Sequence, residues 1–554
     1  MIKKKKRVSQ KKILIIVLSL VIIIMAVLGI DHFRVTKTNR SNVLREIMPT
    51  DLTTQDLSLM DDVYAWVVAG NSQEGLLSRT AKGSMAAGLA KNWSHSKDGL
   101  TWTFHLRKGL KWSNGDSLTA ADFVYAWRRT VNPKTASQYA YVYSGIKNAD
   151  QINSGKNKDL ASLGIKAIDQ TTLVVTLAHP MPQFENLMAL PVFFAQDKKF
   201  EAPLGKKVGT SSANQVYDGP YKFVGWNGTN KKFRLVPNPH YWNPKALKNS
   251  GVDFQVITDP TASLAVFNKG QLDQTNLTTP EQIKKYQSSK DFKVYNNCRS
   301  DFIEYNQTGQ VPALNNVKIR QALNLATDRR AIVQETSDNL NTVATGLTPV
   351  GLAKTPSGGD FAKAAAKKTD YVYNMAKAKK LFAQGLKEAG LSKLTLSVEG
   401  RSDAAASKLI LDTLQQSWQE LPGLTIRENL VPLKQWLQDL SNQNFQVSLS
   451  DWTGDYDEPL TFLNMFMSTS PSNDGRYASK VFNRLIANAS DKHALDDQAR
   501  TNDEIDAEQT LYKDAAINPI DWTSSAVLAN PKIKGVQYFT SGVVYYYAKA
   551  YFIK

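Results

Sequence analysis

The chain has 554 residues, a formal net charge of +18, 10% aromatic residues including eleven tryptophans, and one cysteine. That length allows two or three units of ordinary domain size, and the composition excludes a disordered, collagen-like or disulfide-built chain. Nucleic acid is not the implied partner. Residues 1–40 hold ten Lys or Arg and one acid, which leaves 58 basic against 49 acidic residues, a net +9, for residues 41–554. There is also no Arg-rich arm, zinc-finger spacing or aromatic RNA-binding signature.

Residues 3–12 read KKKKRVSQKK, and residues 13–30 read ILIIVLSLVIIIMAVLGI, eighteen residues without a charge. As a helix that run is about 27 Å long, close to the roughly 30 Å of a bilayer core. The expectation is a cytoplasmic basic segment (1–12), one transmembrane anchor or uncleaved signal (13–30) and a polar tether (31–41), with the remainder outside the cell. A cleaved signal is the rival reading. It needs a shorter apolar region and a small-residue cleavage site, which only Val27-Leu28-Gly29 approximates.

Alternating or β-branched runs predict strands at 100–107, 171–177, 231–236, 252–257, 394–399 and 445–450. Between them, Thr119 with Asp122 three residues on predicts a capped helix whose apolar stripe is Phe123, Val124, Trp127 and Val131. Residues 375–389 place Ala378, Leu381, Phe382 and Leu386 on one face and stop at Gly390. Asp403 is expected to cap a further helix burying Ile410, Leu411, Leu414 and Trp418. The single thiol, Cys298, reads as a small buried hydrophobe. Strands and helices interspersed over the whole length predict a mixed α/β protein of closely joined lobes.

Catalytic and cofactor signatures are missing: no HExxH pair, no GxSxG, no GxGxxG and no GxxxxGK[ST] loop. No metal site or cofactor is expected. What stands out is DWTGDYDEP, residues 451–459, with four acids in eight positions. It lacks the glycine that a calcium loop needs at its sixth position. A pair of glycosidase carboxylates is possible in principle, and spacing within one loop does not decide it. The structural account is a strand, a turn at Gly454 with an unusual backbone angle, and a helix opened by Pro459, with Asp457 and Glu458 favoured by the helix dipole. That leaves Asp455, flanked by aromatic rings, as a natural partner for a cation.

The block LAKNWSHSKDGLTWTFHLRKGLKWSNGDSLTAADFVYAWRR, residues 89–129, carries many fixed residues in one order, and further blocks follow at 164–180, 217–226 (YDGPYKFVGW), 238–244 (NPHYWNP), 318–326, 376–389 and 451–466. Together they resemble the periplasmic or cell-surface oligopeptide-binding proteins, the family 5 solute-binding components of peptide ABC importers. The likeness runs from about residue 60 to 551.

The resemblance implies a two-lobed periplasmic-binding-protein-like fold that closes like a hinge through two crossing strands. Lobe I would be 42–75, 211–305 and 523–554, with a subdomain (76–210) inserted in it, and lobe II would be 306–522. It further implies that Asp455, the acid of the W-x-x-D pattern, accepts the α-ammonium group of a peptide, with Trp452, Thr453, Gly454 and Tyr456 alongside. Arg401 stands where some dipeptide-binding relatives have a carboxylate-binding arginine. The implied partners are peptides and the permease subunits of an ABC importer, and the implied state is a monomer without enzymatic activity. Gram-positive relatives carry an acylated cysteine in a lipobox; here Ile30 occupies that position, so the 13–30 run is expected to replace the lipid as anchor. The same residues admit two other readings: an extracellular hydrolase using acids of 451–458, and a peptide-signal receptor or binder of a non-peptide solute on the same fold.

Overall fold

In a computed structural model, residues 42–81, 83–366 and 372–553 are described. The expected cytoplasmic segment, anchor and tether lie outside the described residues. Among the described residues no helix is long and apolar enough to cross a membrane.

Strand β1 (Leu44–Met48) places Leu44, Glu46 and Met48 on its buried side. Helix α1 (Val63–Ser72) follows, capped by the Asp62 carboxylate, which accepts from the backbone N–H groups of Tyr64 and Ala65. Next come β2 (Ala90–His95) and β3 (Thr101–Leu106), then α2 (Ala120–Val131), then β4 (Ile165–Ala167) and β5 (Thr172–Thr176), which form an antiparallel sheet in the order β2-β3-β5-β4. The start of α2 is as the sequence predicts, with the Asp122 carboxylate accepting from the Thr119 N–H at 2.7 Å. Its buried face holds Phe123, Trp127 and Val131, and the Trp127 indole N–H donates to the Phe193 carbonyl at 2.9 Å.

The chain returns through β6 (Tyr221–Val224), β7 (Lys232–Pro237) and β8 (Val252–Val256) to complete a sheet in the order β1-β8-β7-β6. Its core of Phe223, Phe233, Leu235 and Phe254 is closed by Tyr547, Ala548 and Ala550 from the C-terminal segment.

The largest sheet is built from β9 (Gln274–Leu277), β10 (Phe292–Tyr305), β11 (Leu394–Arg401), β12 (Leu424–Val431), β13 (Val447–Thr453) and β14 (Ile517–Ala529), in the order β9-β14-β10-β13-β11-β12, with Thr342–Val343 pairing on β14. Helix α4 (Ala405–Trp418) packs on its parallel strands, and α3 (Met375–Glu388) joins the same core, in which Phe382, Leu414 and Trp418 cluster with Leu396, Val398 and Val447. One expectation fails at α4: its cap is Ala404, without a side-chain bond, because Asp403 is engaged by Arg401.

β10 and β14, of 14 and 13 residues, pair antiparallel along their length. Their register breaks between Asn296 and Ser300, where Cys298 takes a left-handed φ of 44° and is fully buried. Burial pushes the Cys298 thiol up to about 12, which makes it inert as a nucleophile.

Candidate functional site

β11 runs parallel to both β12 and β13. Ligands in such sheets gather where loops leave the carboxyl ends of the strands. Arg401 is the last residue of β11, and Trp452 and Thr453 end β13, followed by Gly454 and Asp455. All five line one cavity of about 860 Å³. Its other walls come from β1, from 61–67, from Tyr139 and from the C-terminal residues 538–547.

The backbone of β13 has an unequal environment. One edge is bonded to β10 as far as Thr453, but β11 pairs with the other edge only at Val447 and Ser448. Ser450 to Thr453 therefore present an edge with no strand neighbour among the described residues, and they face the cavity.

Asp455 lies just beyond that edge. Its backbone N–H donates to Thr461 Oγ1 at 3.0 Å, and its Oδ2 accepts the Tyr141 hydroxyl at 2.9 Å. Burial raises the carboxyl to about 6, against the lowering effect of hydrogen bonds from Tyr141 and Tyr139. The rings of Tyr139 and Tyr141 lie 5.6 Å apart, and Tyr139 meets Trp66 edge-on at 5.0 Å. A carboxylate held by neutral phenols and walled by aromatic faces is suited to a cation.

The neighbouring residues divide differently from the sequence expectation. Tyr456 does not line the cavity; it is buried with the apolar core around β2 to β5. Gly454 has no positive φ. Glycine is needed there for closeness instead, since a Cβ would stand 2.9 Å from Leu352 Cδ1 and 3.3 Å from Phe462 Cε2.

The two acids read as helix-start residues also differ. The helix is short, Leu460–Leu463, with Pro459 as its cap and no acid in its first turn. Asp457 turns instead to Arg79 at 2.5 Å and accepts from Ser541 Oγ at 2.8 Å, while Arg79 also donates to the Ser541 carbonyl at 2.9 Å. Three distant segments are thus joined at one ion pair, whose side chains are only 10% and 20% exposed. Glu458 is raised to about 7 by burial, opposed by Arg500 and reinforced by Asp497 and Asp457.

Such a pair stands between the about 0.5 kcal/mol of an exposed ion pair and the about 3 kcal/mol lost when a buried one is broken. Asp457→Asn is expected to loosen this junction and enlarge the radius of gyration of the ligand-free protein in small-angle scattering. An unchanged radius would remove its bracing role.

Asp451 belongs to a row of three carboxyls. In the ladder Asp451 stands directly opposite Asp301, and Asp301 opposite Asp521. Arg299 supplies the cation, 2.8 Å from Asp301 and 3.3 Å from Asp451, and Asn341 donates to Asp521 at 2.6 Å. Burial raises both Asp301 and Asp521, with Arg299 opposing this most strongly at Asp301.

Arg401 reaches the cavity wall with its side chain 23% exposed, bonded through Nε to Asp403 at 3.2 Å and lying 6.0 Å from the Trp436 ring centroid. Its partner Asp403 is itself 48% exposed, a weak tie that a ligand carboxylate can replace.

Sequence reasoning missed Tyr139, Tyr141, Arg79 and Glu46. Tyr141 is 314 positions from Asp455. No local spacing encodes such a meeting; it is created by the fold.

Comparison with known proteins points the same way. Residues 84–474 match the family model of bacterial extracellular solute-binding proteins, family 5. A dipeptide-binding protein of Lactococcus lactis subsp. cremoris is 43% identical over 528 residues, 93% of this chain and 95% of that protein. Among solved structures, Listeria monocytogenes OppA bound to peptide superposes with a TM-score of 0.78 at 32% identity, covering 93% of this chain and 99% of the other. The pheromone receptor PrgZ gives a TM-score of 0.78 at 30% identity, covering 93% and 100%.

Proposed function

Because the chain belongs to the bacterial extracellular solute-binding proteins of family 5, we propose that it captures peptides in the 860 Å³ cavity and delivers them to an ABC importer whose permease and ATPase subunits are separate chains. The observation that carries this reading is the edge of β13 that no strand pairs among the described residues, ending at the Asp455 carboxylate. An extended peptide adds to such an edge through its own backbone, so affinity does not depend on its side chains. Its α-ammonium group then meets Asp455, which fixes the register by a charge-assisted bond. Bound waters in the remaining volume accommodate varied side chains at small entropic cost.

Closure is proposed to run through the two strands that link lobe I (42–75, 211–305, 523–554) to lobe II (306–522): β14, which spans the boundary at 522, and β10, whose last residue Tyr305 adjoins the other, with 76–210 inserted in the first lobe. The register break at Cys298 is the natural place for the bend. The Asp457–Arg79 pair then acts as a clasp between lobe II and the inserted subdomain. No step of this cycle requires bond making or breaking in the ligand, and a single copy of the chain suffices for it.

The test is mass spectrometry of ligand released on denaturing the purified protein, together with thermal stabilisation by added peptides, which scales as RT ln(1 + [L]/Kd). Peptides of varied sequence are expected in the released fraction. A sugar or other solute in their place would overturn the reading. Recovery of one sequence only would favour the second reading, a peptide-signal receptor, which the likeness to PrgZ supports.

Arg401 is proposed to receive the carboxylate of short peptides. Arg401→Gln should weaken a free-carboxylate dipeptide roughly tenfold and leave its C-terminal amide unchanged in calorimetry. Equal losses for both ligands would remove that role. The uncharged run 13–30 behind its lysines supports anchoring at the outer face of the membrane without lipid, given Ile30. Replacing residues 1–30 with a cleavable secretion signal is then expected to release the protein from membranes into the medium, and retention would contradict it.

A further inference from the structure

Glu46 is a buried acid that the capture of peptide backbone and termini does not use. It sits on the buried side of β1, is 4% exposed, and lines the cavity. Among the described residues its carboxyl accepts no hydrogen bond and pairs with no cation. The adjacent Arg45 lies on the other face of the strand, committed to Asp273 through Nε at 3.1 Å and Nη2 at 2.8 Å. Burial and the nearby Asp273 push Glu46 up to about 8. A carboxyl left this way is costly until a partner arrives.

The surroundings indicate what that partner is. Gln274 turns its amide N–H to the Tyr545 hydroxyl at 3.0 Å rather than to Glu46. Tyr545 and Tyr547 stack at 6.2 Å, and both line the cavity beside Glu46. Aromatic faces around a carboxyl attract a cation more than they attract a neutral donor. The whole wall carries seven carboxyl side chains against two guanidinium groups. Arg299 is held by Asp301, and Arg401, tied only weakly to Asp403, is the one proposed to receive a ligand carboxylate.

We propose that Glu46, Tyr545 and Tyr547 form a subsite for the lysine or arginine side chain of a bound peptide, so that the cavity selects cationic peptides. This rests on the peptide-capture reading. It adds a second carboxylate, distinct from Asp455, with a different part of the ligand as its target.

The test compares alanine tripeptides and pentapeptides carrying lysine or norleucine at each position in turn, titrated into wild type and Glu46→Gln. At one position lysine should bind wild type roughly tenfold or more tighter than norleucine. Glu46→Gln should abolish that difference while binding the all-alanine peptides as wild type does. Its thermal midpoint should not fall, since the variant keeps the shape and removes an unpaired buried acid. The preference must survive N-acetylation of the peptide; dependence on Glu46 that vanishes on acetylation would assign the cation to the α-ammonium group and overturn the subsite. Peptides that bind without a lysine preference, or with one that Glu46→Gln retains, would also overturn it while leaving peptide capture intact. Failure of every peptide to bind either protein would instead remove the capture reading on which it stands.

Discussion

Asp455→Ala is expected to weaken peptides with free N-termini about a hundredfold, the about 3 kcal/mol lost when one partner of a buried charge pair is removed. N-acetylated peptides, which bring no ammonium group, should bind the variant and wild type alike. The same carboxyl predicts a pH profile. Its value in the ligand-free protein is raised to about 6, above the usual carboxylate range. The ammonium group requires the ionised form, so affinity should fall by up to about tenfold per pH unit as the pH drops below about 6. Ligand-free stability has the opposite sign. The folded state holds this proton more tightly than the unfolded chain does, so Asp455 adds stability as pH falls from about 6 toward the ordinary carboxylate value. Calorimetric titration over that range checks the first effect, and denaturant unfolding without ligand checks the second. Asp455→Ala should flatten both.

The second large effect concerns the row Asp451, Asp301 and Asp521. Like charges directly opposite in a ladder repel, and Arg299 is the cation among them. Asp301 is 7% exposed and Asp521 1%, so these acids gain little relief from solvent. Arg299→Leu is expected to destabilise the fold by about 3 kcal/mol, the lower end for an uncompensated buried charge, because the guanidinium side chain is 34% exposed. The loss should grow with pH. Asp521 is raised in the folded state by burial and by Asp301, so the stability of its protonated form is present at low pH and disappears as pH rises through the raised value. Denaturant unfolding of the variant at about pH 6 and about pH 8 should show the larger deficit at the higher pH. Adding Asp301→Asn should recover part of it, and a deficit that is independent of pH would contradict the electrostatic account.

Local chemistry was readable from the sequence, and long-range chemistry was not. The Thr119–Asp122 cap and the buried face of Ala378, Phe382 and Leu386 follow from spacing, because a helix writes its period into its own residues. The two longest strands escaped the alternation pattern. β10 and β14 carry Asp301, Glu304, Asn518, Pro519 and Asp521 at buried or strand-interior positions. These residues are depleted from ordinary strands and are tolerated here by the Arg299 pair and by bonds such as Asn341 to Asp521. At the site, the resemblance selected Asp455, Trp452, Thr453, Gly454 and Arg401, all of which line the cavity. Tyr456 fails because the chain turns after Asp455 and directs the ring into a core. The local sequence places Asp457 and Asp403 at helix starts, yet each has an arginine within reach. A guanidinium partner that arrives from elsewhere in the fold outweighs a helix dipole, and its position is not written beside the acid.

The salt bridge between the peptide's α-nitrogen and Asp455 is measured most directly by a crystal structure of the complex with a free-N-terminus peptide. The expected result is an α-nitrogen about 2.8 Å from an Asp455 carboxylate oxygen, with the peptide backbone paired along the edge of 450–453. A peptide whose N-terminus lies elsewhere in the cavity, with Asp455 bonded only to the hydroxyls of Tyr139 and Tyr141, would contradict it.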